Sequence, residues 1–179
     1  MDSKGVCMRG QKGFTLIELL IVVAIIGIIA AIAVPGLLRA RISGNEASAI
    51  GSMRAINTAQ QNYSQLCNGY SPSLVVLRTA GNYLSPDLTQ VVAPNKSGYT
   101  ITSIPGVNPA AVAVAGAPLA CAGPMTGYYA TAIPLAPGST GIRAFATDEA
   151  GTIWQDTTVP APVVPAQVFA VAGNTSPIQ

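Results

Sequence analysis

The chain has 179 residues, half of them hydrophobic and only 9% charged, with a mean hydropathy of +0.46. The whole net charge of +2 belongs to the first 13 residues, where Lys4, Arg9 and Lys12 oppose Asp2; from Phe14 onward six bases meet six acids. So neutral a body lacks the basic footprint that phosphate contacts need, and the absence of histidine removes the commonest general base and metal ligand, so no nucleic-acid binder, enzyme, cofactor or metal site is expected.

Residues 1–13 are short, polar and basic. From Leu19 to Leu38 there follow 20 residues without a charge, about 30 Å as a helix and enough for one bilayer crossing. The basic leader favours a cytoplasmic N-terminus, although Arg39 and Arg41 flank the other end. Glu18 sits just inside the apolar run, where an acid is costly away from the headgroup boundary. Gly27 weakens helix preference and Pro35 lacks an N–H, so the stretch between them can loosen or kink without breaking the helix.

Helical periodicity continues past the apolar run. Leu38, Ile42, Ala49, Met53, Ile56, Tyr63 and Cys67 fall on one face with Gln60, while Arg41, Glu46, Ser48, Arg54, Asn57 and Gln61 are assigned to the others. One helix is therefore predicted from Phe14 to about Leu66, ended by Asn68-Gly69 with Gly69 in the left-handed conformation.

The pattern then changes. A short apolar patch around Leu74–Leu77 precedes strand-like runs at 98–104, 127–133, 142–147 and 152–157. The last two form a hairpin across Asp148-Glu149-Ala150-Gly151, and alternation in the first two predicts one buried and one wet face. Asp148, Glu149 and Asp156 fit no calcium loop and read as turn residues. Segments 105–123 and 159–179, rich in Ala, Gly and Pro, read as loops or ragged edge strands over the sheet. Cys7 lies in the leader, leaving Cys67 and Cys121 either as one disulfide or as two separate thiols.

The run Arg-Gly-Gln-Lys-Gly-Phe-Thr-Leu-Ile-Glu at 9–18, followed by an apolar helix carrying Gly27 and Pro35, resembles the type IV pilins and the related pseudopilins of type II secretion. The resemblance covers residues 9–66 and is most specific at 13–20. It implies an α+β pilin fold, with a long N-terminal helix packed by its second half on a small antiparallel sheet. It divides the chain into a cleaved leader (1–13), a membrane and filament-core helix (14–38), its amphipathic continuation (39–67) and a β head (68–179).

It also implies that a prepilin peptidase cuts between Gly13 and Phe14, that Phe14 is N-methylated, and that Glu18 pairs with the Phe14 amine of a neighbouring copy during assembly. Gly27 and Pro35 match the family's helix-loosening positions. An extracytoplasmic head favours the Cys67–Cys121 disulfide. The implied partners are copies of the chain, the peptidase, the inner-membrane assembly machinery and, before assembly, membrane lipid. The implied location is the inner membrane and then an extracellular pilus or a periplasmic pseudopilus. A type II pseudopilin is the nearest alternative. From another class stands a Sec-secreted or membrane-anchored periplasmic binding module cut after Ala31-Ile32-Ala33. Against that class, the apolar run is long for a signal peptide, holds an acid, and continues helically through the site.

Overall fold

The computed structural model describes residues 13–106, 121–157 and 175–178. The elements are helix α1 (Leu16–Cys67), helix α2 (Leu74–Gly81), a 3-10 turn (Pro86–Leu88) and six strands. The strands are β1 (Asn95–Lys96), β2 (Tyr99–Pro105), β3 (Tyr128–Pro134), β4 (Ala144–Asp148), β5 (Ile153–Asp156) and β6 (Thr175–Pro177). They form one sheet in chain order, each antiparallel to the next. This is the α+β architecture expected. By internal contacts the chain forms two compact units, Met1–Leu38 and Arg39–Gln179.

In the first unit α1 is apolar all round, and its large side chains from Leu16 to Leu38 are all exposed. The helix is continuous through Gly27 and Pro35.

In the second unit, Ala49, Met53, Ile56, Tyr63 and Cys67 of α1 are buried against Tyr99 and Ile101 of β2, Tyr128, Ala130 and Ala132 of β3, and Phe145 of β4. Alanines on both surfaces leave room for the aromatic rings to interdigitate, as close packing demands. The expected buried face is shorter at its start: Leu38 is exposed and Ile42 half-buried. Gln60, its polar member, is fully buried and satisfied. Its amide donates to the Ser71 carbonyl (3.1 Å) and accepts from the Ser71 N–H (2.8 Å), pinning the chain just after α1. Where α1 ends, Asn68 and not Gly69 takes the left-handed conformation, at φ 51°. Asparagine tolerates that region better than other side chains.

The Leu74–Leu77 patch is helical. Ser73 caps it, its hydroxyl accepting from Val76 N–H, and Asn82 ends it at φ 52°. Leu74 and Leu77, one turn apart, are both fully buried. The strand expectations hold at β2, β3, β4 and β5, and the β4–β5 hairpin closes through Gly151 N–H to the Asp148 carbonyl (2.9 Å). The wet face expected of β3 is absent. Tyr129 and Thr131 are buried there, Tyr129 with Ala146 and Trp154, while the Thr131 and Thr102 hydroxyls meet at 2.6 Å. Most of segments 105–123 and 159–179 lies outside the described residues; at its end, Thr175–Pro177 pairs with β5 as an edge strand.

Cys67 and Cys121 form a disulfide, with Cα atoms 5.5 Å apart. It joins the end of α1 to the chain entering β3. Closing a loop of about 55 residues is worth about 4 kcal/mol in the chain-entropy view. Reduction, or the Cys67→Ser/Cys121→Ser double variant, should therefore lower the thermal unfolding midpoint of the head by many degrees, as read by circular dichroism with and without reductant.

Candidate assembly site at the start of the long helix

Thr15 is the N-cap of α1, and it binds Glu18 reciprocally. The Glu18 N–H donates to the Thr15 hydroxyl (3.3 Å), while the Thr15 N–H (2.9 Å) and hydroxyl (2.7 Å) both donate to Glu18 Oε2. This is a capping box, in which two backbone N–H groups orphaned by the helix start are satisfied by side chains. The role expected of Glu18 concerns the Phe14 amine alone and does not include Thr15. The Thr-x-x-Glu spacing was the available signal.

Gly13 and Phe14 precede the helix, and both are exposed, Phe14 at 83%. Nothing lies within 4 Å of a Cβ built on Gly13. The bond between them therefore lies outside the helix and is accessible. Gly27 likewise meets open space. Cys67 and Cys121 belong to the head and lie far along the chain from these residues.

A second cluster went unforeseen. Glu46, assigned from sequence to an outer face of α1, is buried, with 6% of its surface exposed. It lies three residues before Ala49 and four after Ile42, so the helical spacing itself placed it on the inner face; its charge argued misleadingly for solvent. Glu46 Oε1 accepts from the backbone N–H groups of Ile142 (3.0 Å) and Arg143 (3.2 Å). Oε2 accepts from Arg143 Nε (2.9 Å) and Nη2 (2.6 Å). Arg143 also donates to Gln155 Oε1 (2.7 Å), and its guanidinium lies 5.7 Å from the Phe145 ring centre. Two guanidinium donors on Oε2 and two backbone donors on Oε1 leave neither charge unpaired, the condition under which a buried ion pair is tolerated. Gly141 in the same loop has no room for a Cβ, which would collide with the Tyr99 ring.

Residues 8–34 match the family described as "Prokaryotic N-terminal methylation motif". The chain is 40% identical over 79 residues to the "Type IV wide pilus major component PilA4" of Thermus thermophilus, covering 44% of this chain and 60% of that one. It is 45% identical over 61 residues to the "Type IV major pilin protein PilA" of Myxococcus xanthus, 34% of this chain and 28% of that one. Over 28 residues it is 82% identical to a "Fimbrial protein" of Pseudomonas aeruginosa, 16% of this chain and 18% of that one. The N-terminal part of the chain is thus similar to type IV pilins. The matched stretches span less than two thirds of each of these pilins, and no solved structure matches significantly.

Burial acts to raise the Glu46 carboxyl pKa, but Arg143 and the two backbone donors outweigh it and hold the group below its ordinary range. A carboxyl depressed in the folded protein contributes stability that is present above the unfolded pKa and is lost as pH falls through the folded one. The unfolding midpoint should thus decline as pH drops below about 4.5, and Glu46→Gln should flatten that decline while costing about 1–3 kcal/mol at neutral pH. Thermal melts of both proteins across acidic and neutral buffers measure it; parallel profiles contradict it.

Proposed function

We propose that this chain is a structural subunit of a type IV pilus, cut between Gly13 and Phe14, N-methylated at Phe14 and polymerised through the first half of α1. The observation carrying this reading is the exposure of every large apolar side chain from Leu16 to Leu38 in a helix 52 residues long. A helix apolar on all sides needs cover all round. Lipid supplies it to the precursor, and copies of the same helix supply it in a filament. The relatives bear the names of pilus and fimbrial proteins, which favours a pilus over a secretion pseudopilus. Its role is structural and not catalytic.

Cleavage changes the electrostatics at the helix start. It removes the basic leader, taking side-chain charge from +2 to zero, and it creates a cationic amine at Phe14. An incoming subunit brings Glu18 to the Phe14 amine of a neighbour within the apolar bundle. Either charge alone is costly in such surroundings, so the pair rewards one axial register above others. Gly27 and Pro35 let the intervening helix yield as the bundle packs.

Two measurements test this. Mass spectrometry of the mature N-terminus should find N-methylphenylalanine at Phe14; a start at Val34 would instead mark an exported protein with a removed signal. Glu18→Ala should leave the amount of subunit in the membrane fraction unchanged and abolish sheared filaments, and normal filaments from that variant would refute the pairing.

A further inference from the structure

The strands β3 and β4 run alongside α1 and are fixed to it at two levels. At one level, Glu46 holds the backbone of Ile142 and Arg143, and Asn45 Nδ2 donates to the Thr140 carbonyl (2.8 Å). Ser48 and Ser97 hydroxyls, 2.9 Å apart, bring the β1–β2 turn to the same end. At the other level, Asn57 accepts from the Tyr128 and Thr147 hydroxyls and donates to the Gly151 carbonyl (2.9 Å). About 16 Å of helix separate Glu46 from Asn57, a gap that β4 spans. The β3–β4 loop is therefore at the end of the head nearer Arg41.

This end carries Leu135 and Ile142, exposed at 53% and 54%, where the loop leaves β3 and returns to β4. Arg39 and Arg41, both exposed, precede it on α1 by one to two turns. The acids near this end are engaged or buried: Glu46 pairs with Arg143, Asp87 with Lys96 at 2.7 Å, and Asp156, opposite Ala144, is buried. Its exposed charge is thus cationic, with apolar side chains beside it. Arg39 also follows directly on Leu38, the last residue of the uncharged run.

We propose that, before assembly, this end of the head rests on an anionic lipid surface, with Arg39 and Arg41 at the phosphates and Leu135 and Ile142 in the headgroup layer. The inference rests on the membrane-anchored precursor argued above. Basic side chains next to a membrane span are drawn to anionic lipid, and apolar side chains gain by leaving water at the interface. Each contact is weak, but the span tethers the head beside the surface, so the effective concentration is high. The clamp on Glu46 keeps the loop from folding away. Extraction of the subunit into a filament then breaks this contact.

The test uses the full chain, with Cys7→Ser, reconstituted in phosphatidylcholine vesicles with or without phosphatidylglycerol. An environment-sensitive fluorophore is placed at Ile142→Cys, at Ala150→Cys in the opposite turn, or at Ile25→Cys in the span. With headgroup-nitroxide lipid, quenching at 142 should exceed that at 150 by about twofold or more, and the excess should fall when the anionic lipid or low salt is withdrawn. Quenching at 142 no greater than at 150, or indifferent to anionic lipid, overturns the inference. So does a blue shift at 142 without quenching, which would mean that another copy covers the loop. Position 25 separates the two levels of failure. If acyl-chain nitroxide quenches it while 142 stays unquenched, only the surface contact is wrong; if 25 is unquenched, the membrane reading falls and takes this inference with it.

Discussion

A single helix that must satisfy two surroundings is the constraint on which this molecule depends. Up to Leu38, α1 carries apolar side chains in every direction, and no arrangement of one chain's helix can cover them all. From Glu46 onward only one face is buried, and that face is the floor on which the sheet is built. The meander sets Ala130 and Ala132 among Tyr99, Ile101, Tyr128 and Phe145 on its inner surface, and that face is buried against α1. Tyr63, Met53 and Ile56 of α1 fill the space over the β3 alanines. The head therefore folds on the helix rather than beside it, and the disulfide at Cys67 closes the unit where that helix ends.

Charge is scarce in this chain, and its placement matters accordingly. Glu46 and Arg143 join the helix to the β3–β4 loop through a fork and two backbone bonds, while Asn57 does the same at the other hairpin with neutral groups only. The two ties set the height of the sheet along α1. A near-neutral body does little to repel its copies, which is compatible with the proposed packing of the chain against itself.

The strands were legible because alternation, β-branched residues and Pro-Gly punctuation agree at β2, β3 and the β4–β5 hairpin. Other elements were not, for identifiable reasons. Helix α2 has two valines and only one buried pair, so neither propensity nor periodicity marks it; its caps, Ser73 and Asn82, decide it. Glu46 was misplaced because a charge was weighed above its spacing, though its partner Arg143 is 97 residues away and invisible to local reading. The second face of β3 is buried through Tyr129 and Trp154, a contact between strands whose register no single segment reveals. At the helix start the residues that attract attention, Gly13, Phe14 and Glu18, were legible, whereas the hydroxyl of Thr15 beside them was not.

That hydroxyl bears on how Glu18 can serve two partners. Both Thr15 donors go to Oε2, and among the described residues Oε1 accepts no hydrogen bond. Capping therefore leaves one oxygen of the carboxylate open. Neither the Thr15 N–H nor its hydroxyl is consumed by cleavage at Gly13, so the box can persist in the mature subunit. A side chain already held by its own helix loses little further freedom on pairing, which lowers the entropic cost of meeting a neighbour's amine. The capping box and the intersubunit pair are on this view successive uses of one preorganised carboxylate. Under the proposed function, the first would hold Glu18 in place in the precursor, and the second would use the oxygen that the first leaves free.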